Sequence, residues 1–408
     1  MEPYDHLRNE PPRPTADTPT RIMVLAPQPF FEDRGTPIAL KQVLRGLAEL
    51  GIGADVVTYP LGRDPEVAGV NVIRCANPLG IRSVPVGFSL RKIVLDITLW
   101  IEAQRALRRG RYAAIQASEE AAFLAVLLGR RHGLPVVYDM QSSLPEHLAE
   151  RRLFRLRPIA RVLERIERWL VRRVDLIVTS AGLGEHARAL GPRAPVFEWR
   201  FHAPADPVAP TEVVALRREL DLPPGAPVIL YTGTFVPYQG IDTLDEAIPR
   251  VLRAIPDAFF VLVGASGRWR PTGDPDPASR VRVAGRRPRS EMRRFYALAD
   301  VAVSPRASGR NLPLKIFDYL GAGRAIVATD VPAHRSILDD DLAVLVAPEP
   351  HAFADGIVRL LQDEGLRRRY ADAAAAYGVE ELGWRPFVHR LRTVYEALPD
   401  LSGPGAGP

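Results

Sequence analysis

The sequence predicts an α/β protein of two doubly wound parallel-sheet domains facing a cleft. Three observations carry this. Short continuous apolar runs alternate with helix-period segments along the chain, the pattern of strands covered by helices on both faces. The pattern starts twice, at Arg21 and at Pro227, with the Pro/Ala-rich stretch FHAPADPVAP (Phe201–Pro210) between the two starts. At 408 residues the chain is also too long for one ordinary core.

Composition narrows the class. Apolar residues make up 47% and mean hydropathy is −0.05, which fits a folded chain rather than a disordered one. The one cysteine, Cys75, excludes an internal disulfide and suits a reducing compartment. No apolar run approaches the ~18 residues of a membrane-spanning helix. The opening MEPYDHLRNEPPRPTADTPT is polar and Pro-rich, without the apolar centre of a signal peptide, and is expected to be a disordered leader. A cytoplasmic protein follows. The net charge of +6 comes almost entirely from arginine and suits phosphates, lipid headgroups or nucleic acid. No aromatic-bearing nucleic-acid motif accompanies it, so nucleic acid is not an expected partner.

In the first half the apolar runs predict strands at Arg21–Ala26, Ala54–Tyr59, Ala113–Ala117, Pro135–Asp139 and Asp175–Ser180. In the second half they predict strands at Pro227–Thr232, Ala258–Gly264, Arg280–Ala284, Asp300–Ser304, Ala325–Thr329 and Ala343–Val346. The first helix is signalled by Thr36 as N-cap, Pro37 at the first helical position, an apolar stripe from Ile38 to Leu50, and Gly51 as stop. The region Ala352–Leu398 reads as helical, and LSGPGAGP as a frayed tail.

In such sheets ligands sit at the carboxyl ends of the strands, where strand order switches. Three strand-end loops there are suited to phosphate, because free N–H groups at a helix N-terminus attract anions. The first, APQPFFEDRGTP, is not the GxGxxG of a dinucleotide site, yet Arg34-Gly35-Thr36 brings a cation and a flexible Gly to a helix start. The second, YTGTFVPYQGIDTLDEAI (Tyr231–Ile248), sets Gly233 and Thr234 directly after a strand. The third is the 27-residue stretch SPRASGRNLPLKIFDYLGAGRAIVATD (Ser304–Asp330). It crowds Arg306, Gly309, Arg310 and Asn311 into one turn, followed by a helix expected from about Leu312 that carries Lys315 and Asp318. The competing reading of Lys315 and Asp318 is a surface i,i+3 ion pair worth a few tenths of a kcal/mol.

Two further loops, QASEEAA (Gln116–Ala122) and YDMQSSLPEH (Tyr138–His147), bring Glu119, Glu120, Asp139, Gln141, Ser142 and Ser143 to strand ends. Two basic amphipathic segments stand apart. Arg151–Arg173 carries nine Arg against two Glu, and Ser89–Arg109 mixes Ile93, Ile97 and Trp100 with Arg91, Lys92 and Arg105. Such helices can lie on an anionic membrane, or simply present a solvated face. No His/Cys cluster has ligand spacing, and Asp274-Pro275-Asp276 reads as a turn, so no metal is expected. GxSxG and P-loop motifs are absent.

Together these pieces resemble glycosyltransferase family 4, retaining enzymes of the GT-B architecture, in which two Rossmann-like domains face each other. The carrying segments are RGTPIALKQVLRGLAELG, YTGTFVPYQGIDTLDEAI, SPRASGRNLPLKIFDYLGAGRAIVATD and EELGWRPFVHRLRTVYEAL, in that order. The resemblance implies an acceptor domain over residues 21–205, a nucleotide-sugar domain over 206–380, and a terminal helix over 381–400 crossing back to the first domain. It implies sugar transfer from a nucleotide diphosphate sugar, a UDP- or GDP-sugar, to an acceptor hydroxyl with retention, without metal or cofactor. In that scheme Asp318 holds the ribose, although Glu is usual there. Gly309, Arg310, Asn311 and Leu312 run along the sugar and phosphates. Gly233 and Thr234 approach the diphosphate, with Gly35 and Thr36 opposite.

Three positions depart from the family pattern. Gln239 stands for the usual Lys, Arg310 for the first Glu of a paired-Glu motif, and Gln141 for a His. Arg306, Lys315 and Gln141 are the expected catalytic groups, the two cations replacing the missing phosphate charge. The expected acceptor is a lipid-linked or envelope glycan, with peripheral attachment to the inner face of the membrane through the basic helices. The alternatives are a non-catalytic nucleotide- or glycan-binding relative and a nucleotide-sugar epimerase of the same fold.

Overall fold

The computed structural model describes residues 20–32, 35–84, 89–143, 157–203, 207–264 and 277–398. The leader, Arg34, the Leu144–His147 end of the YDMQSSLPEH loop, the arginines from Arg151 to Arg155, Asp274–Asp276 and the LSGPGAGP tail lie outside them.

Strands β1 (Arg21–Ala26), β2 (Gly53–Thr58), β3 (Val70–Arg74), β4 (Ala114–Ser118), β5 (Val136–Met140), β6 (Leu176–Ser180) and β7 (Val196–Trp199) form one sheet, in the order β3-β2-β1-β4-β5-β6-β7. Strands β8 (Val228–Thr232), β9 (Phe259–Val263), β10 (Val281–Gly285), β11 (Val301–Ser304), β12 (Ala325–Thr329) and β13 (Val344–Val346) form the second, in the order β10-β9-β8-β11-β12-β13. All pairs are parallel, with Val24 between Val56 and Gln116, and Leu230 between Val261 and Ala302. The order reverses between β1 and β4 and again between β8 and β11, so each sheet has its switch point in its middle.

The helices of the first domain are α1 (Gly35–Glu49), α2 (Leu90–Arg109), α3 (Ala121–His132), α4 (Arg157–Val171) and α5 (Gly184–Ala189). Those of the second are α6 (Pro210–Glu219), α7 (Ile241–Ala254), α8 (Met292–Leu298), α9 (Lys315–Gly321), α10 (Pro332–Arg335), α11 (Pro350–Gln362), α12 (Glu364–Leu382) and α13 (Trp384–Glu396).

The predicted strands stand within a residue or two of their expected places. Two strands were not predicted, β3 and β7. Both are edge strands of the first sheet and mostly half-buried, so neither reads as a continuous apolar run. Thr36 is not an N-cap, because α1 already begins at Gly35. The helix expected from about Leu312 begins three residues later, at Lys315. A residue before proline disfavours helical backbone, which sets Leu312 outside the helix, and the Leu312 amide donates to Ala181 O of the first domain at 2.8 Å.

Phe201–Pro210 is more than a spacer. Phe201 is buried against Trp199, Phe317 and Phe387, with ring centroids 6.1–6.3 Å apart, in a core that continues from one domain into the other. The C-terminal helices close this arrangement. Gly378 of α12 lets the helix approach Gly321 of α9. α13 lies on α1 of the first domain, where a Cβ at Gly46 would meet Leu391 Cδ2 at 2.5 Å. Tyr395 OH donates to Gln116, and Trp384 Nε1 donates to Glu49 at 2.5 Å.

Candidate functional site

The loops that follow β8 and β11 meet at the strand-end rim of the second sheet, at its switch point. Gly233 has φ +141°, backbone that favours glycine, and Gly264 packs so closely that a Cβ on it would overlap Gly233 O. Gly240 (φ +75°) touches the carbonyl of Pro305, which joins the β8 loop to the β11 loop.

Beneath this turn lies Lys315, the first residue of α9. It is only 7% exposed, and its Nζ has no hydrogen-bond partner among the described residues. The ammonium stands 4.0 Å from the centroid of the Tyr231 ring, and a Cβ at Gly233 would come within 2.9 Å of it. Burial, with the Arg306 guanidinium nearby, holds its pKa well below the usual lysine value. Thr234 is exposed, and its carbonyl accepts from Tyr231 OH at 2.9 Å.

Arg306 is buried, with its guanidinium 5.4 Å from the Tyr238 ring and its Nη2 donating to Asn311 Oδ1 at 2.8 Å. Gly309 (φ +97°) leaves room for it, since a Cβ there would meet Arg306 Nη2 at 2.5 Å. The backbone below is braced by a buried network. Thr329 Oγ1 donates to Arg306 O at 2.6 Å, and His334 joins Thr329 O at 2.7 Å to Ser304 Oγ at 2.9 Å. Burial keeps His334 neutral, with its pKa lowered to about 4.

The turn reaches the first domain. Asn311 Nδ2 donates to Gln141 O at 3.4 Å, and Leu312 N to Ala181 O. Gln141 is itself clamped. Its Nε2 donates to Asp139 Oδ1 at 2.5 Å, and its Oε1 accepts from Ser180 Oγ at 2.9 Å. Burial raises Asp139 to about 6. Glu119 carries a strained positive φ of 51° and accepts from Ser142 Oγ at 2.9 Å. Burial, with the charge of Glu120, pushes it up to about 8.

The structure thus brings Lys315, Arg306, Gly233, Gly309 and Asn311 together at one rim, with Gln141 across from them. Arg310 instead turns to the first domain, where its Nη1 lies 3.1 Å from His186 Nδ1, and His186 Nε2 lies 3.0 Å from Glu167. Gly35 and Thr36 begin α1 at the end of β1, with open space around Gly35. Lys315 and Asp318 do not form the surface ion pair that their spacing allows. Asp318, 6% exposed, receives both Nη groups of Arg289 at 2.7 and 2.5 Å and the Tyr296 hydroxyl at 3.0 Å. Sequence reasoning missed Tyr231, Arg289, Tyr296 and His334. Tyr231 lies inside an ordinary buried strand, and Arg289 is one arginine among many. Among the described residues no group of three His, Cys, Asp or Glu side chains is placed to hold a metal ion.

Comparison with known proteins agrees with this fold. A family model described as "Glycosyl transferase 4-like domain" matches residues 34–198, and one described as "Glycosyl transferases group 1" matches residues 226–363. The phosphatidyl-myo-inositol mannosyltransferase of Mycobacterium tuberculosis is 28% identical over 186 residues, 44% of this chain and 48% of that protein. The chain therefore spans about half the length of the first curated relatives it matches. Among solved structures, sucrose-phosphate synthase from Thermosynechococcus elongatus superposes with a TM-score of 0.77 at 18% identity, covering 93% of this chain and 99% of that one. Anabaena HepE in complex with UDP-glucose superposes with a TM-score of 0.70 at 17% identity, covering 93% and 100%. At these identities the likeness is one of fold.

Proposed function

Because the chain belongs to the family 4 glycosyltransferases of GT-B architecture, we propose that it transfers a sugar from a nucleoside diphosphate sugar to an acceptor hydroxyl, with the diphosphate held between Lys315, Arg306 and the Gly233 turn. The observation that carries this reading is the buried Lys315 side chain, whose Nζ has no hydrogen-bond partner among the described residues and faces a glycine turn at a sheet switch point. A lysine buried without an anion is costly, and a diphosphate is the anion this fold accommodates there. UDP-glucose is the ligand of the HepE complex, and a UDP- or GDP-sugar is the donor proposed here.

In the reaction the bond between the sugar C1 and the diphosphate oxygen breaks as the acceptor oxygen bonds to C1 on the same face. The acceptor proton passes to the departing phosphate oxygen, so no side-chain nucleophile or metal is required and configuration is retained. Negative charge grows on the diphosphate. Lys315 and Arg306 are the groups proposed to meet that charge beside the Gly233 turn, whose own N–H is spent on Val263 O, and one such preorganised donor is typically worth ~10²–10³ in rate. Gln141, held by Asp139 and Ser180, has no basic nitrogen at neutral pH. It acts as a hydrogen-bonding group toward the sugar and not as a proton acceptor. Gly35 and Thr36, at the start of α1, complete the phosphate side from the first domain.

The acceptor reading rests on a separate surface. On α2, Ile93, Ile97 and Ile101 are exposed beside Arg91 and Arg105. On α4, Val162, Ile166 and Trp169 are exposed beside Arg161, Arg165 and Arg168. Both helices flank α3, through the Lys92–Glu120 ion pair and the stacked Phe123 and Trp169 rings. An apolar face rimmed by arginine suits an anionic lipid surface and a lipid-linked or envelope glycan as acceptor. The attachment proposed is peripheral, and no helix among the described residues is long and apolar enough to cross a membrane.

The test is turnover by the purified protein across a panel of nucleotide sugars, with and without acceptor and chelator, together with co-sedimentation on vesicles of anionic lipid. Transfer that needs an acceptor supports the reading. Donor conversion without acceptor identifies an epimerase, and nucleotide binding without turnover identifies a non-catalytic relative. Failure to bind anionic vesicles at low salt removes the membrane reading.

A further inference from the structure

We propose that Asn311 is a positioning residue for the Arg306 guanidinium, and that it makes the placement of this cation depend on contact with the opposite wall of the cleft. This rests on the donor reading above and adds how its phosphate side is assembled.

Three consecutive residues of the β11–α9 loop each bond to the first domain. Arg310 Nη1 lies 3.1 Å from His186 Nδ1 in α5, Asn311 Nδ2 donates to Gln141 O beyond β5 at 3.4 Å, and Leu312 N donates to Ala181 O beyond β6 at 2.8 Å. The two wall loops are themselves joined, because Ser180 Oγ donates to Gln141 Oε1 at 2.9 Å. Asn311, Gln141, Ser180, Ala181 and Leu312 thus close one ring of covalent and hydrogen bonds across the cleft. Gly182 lets the wall come this close. Its φ is +87°, and a Cβ on it would stand 2.1 Å from Arg310 O.

Asn311 has a second contact that this ring does not require. Its Oδ1 accepts from Arg306 Nη2 at 2.8 Å. A guanidinium carries donors only, so the amide oxygen must face it, and this turns Nδ2 toward Gln141 O. A carboxamide holds an acceptor and a donor on one rigid plane. An aspartate would present oxygen to both neighbours, and an aliphatic side chain would hold neither. The opposite wall therefore fixes Asn311, and Asn311 fixes the guanidinium. Such coupling is reciprocal: an anion that orders Arg306 tightens the seam by the factor by which the seam strengthens anion binding. A donor then meets its full set of cations only with the wall that carries Gln141 in place, which limits loss of the sugar to water.

The experiment combines calorimetric titration of inorganic pyrophosphate with hydrogen exchange at the Leu312 amide, in the wild type, Asn311→Leu and Gly182→Ala. Asn311→Leu keeps the bulk and removes the link. Gly182→Ala leaves Asn311 and Arg306 intact and pushes the wall off the loop. Saturating pyrophosphate is expected to slow Leu312 exchange in the wild type by ~5-fold or more, and Gly182→Ala to bind pyrophosphate more weakly by a similar factor. In Asn311→Leu the amide should exchange at one rate with and without pyrophosphate. A purely structural role would speed exchange in the variants and leave anion affinity unchanged. Wild-type affinity in folded Gly182→Ala overturns the proposal, as does a full pyrophosphate response retained in folded Asn311→Leu; if Gly182→Ala does not fold, Asn311→Leu decides alone. If the wild type binds no pyrophosphate, the donor reading itself fails and this proposal with it.

Discussion

Lys315 and Tyr231 form a cation–aromatic pair, with the ammonium 4.0 Å from the ring centroid and no hydrogen-bond acceptor among the described residues. A ring face is worth about 0.5–2 kcal/mol to a cation. That is less than the several kcal/mol an ion loses when it leaves water. Burying this side chain as a cation is thus electrostatically unfavourable, and an anion beside it offsets the cost.

Lys315→Met should separate stability from activity. A thioether chain of similar length fills the pocket without a buried charge, so the variant should be more stable by about 1 kcal/mol, while turnover falls by ~10²-fold or more. The wild-type deficit in melting should shrink as pH rises. With the folded lysine pKa lowered, the unfolded chain binds the extra proton at pH values between that lowered pKa and 10.5, so wild-type stability climbs with pH there. Thermal melts against pH and initial rates check both statements.

Gly233→Ala should injure the same site from above. The backbone at φ +141° is strained for any side chain, and the added methyl would stand 2.9 Å from Lys315 Nζ. A stability loss of about 1–3 kcal/mol is expected, with weaker nucleotide binding. Gly35→Ala, with open space around its Cβ and no positive φ, should melt within about 0.5 kcal/mol of the wild type. Denaturant titrations of the two variants make the comparison.

Glu119→Gln should flatten the pH dependence of stability. Burial raises Glu119 from the ordinary 4.5 to about 8, with Glu120 and Asp139 adding to the rise and the Ser142 hydrogen bond and Lys92 opposing it. Between those values the folded state holds a proton that the unfolded state has released, so wild-type stability falls as pH rises from about 4.5 to about 8. The glutamine variant should melt near the wild type at about pH 5 and above it at about pH 8. Parallel melting curves at both pH values would contradict this.

Leu391→Ala tests the closure of the molecule. Leu391 is fully buried where α13 lies on α1, so truncation should cost about 2–5 kcal/mol. Because α13 binds the first domain from the end of the second, both domains should lose protection together. Hydrogen exchange in β1 and β8 reads this.

The central strands were legible because their apolar runs are continuous, and the three glycine loops because a strand, a glycine turn and a helix start leave a local mark. The edge strands β3 and β7 were not, since half-buried segments such as VNVIR mix polar and apolar residues without a clean period. The pairing of Arg289 with Asp318 spans 29 residues, and nothing local distinguishes Arg289 from Arg286 or Arg287. The i,i+3 spacing of Lys315 and Asp318 pointed to each other, but tertiary burial gave Asp318 a partner from another loop and left Lys315 facing the glycine turn. The strain at Glu119 arises from a β4–α3 connection too tight for ordinary backbone, in a residue type that gives no warning of it.

The most direct test is calorimetric titration of a nucleoside diphosphate into the wild type and Lys315→Met, each in two buffers of different ionisation enthalpy. The methionine variant, still folded, should bind at least ~10-fold more weakly than the wild type, and any proton that the wild type takes up on binding, as a phosphate raises the lowered pKa of Lys315, should be lost with it. Equal affinity and equal proton uptake in the two proteins would contradict a diphosphate site at Lys315.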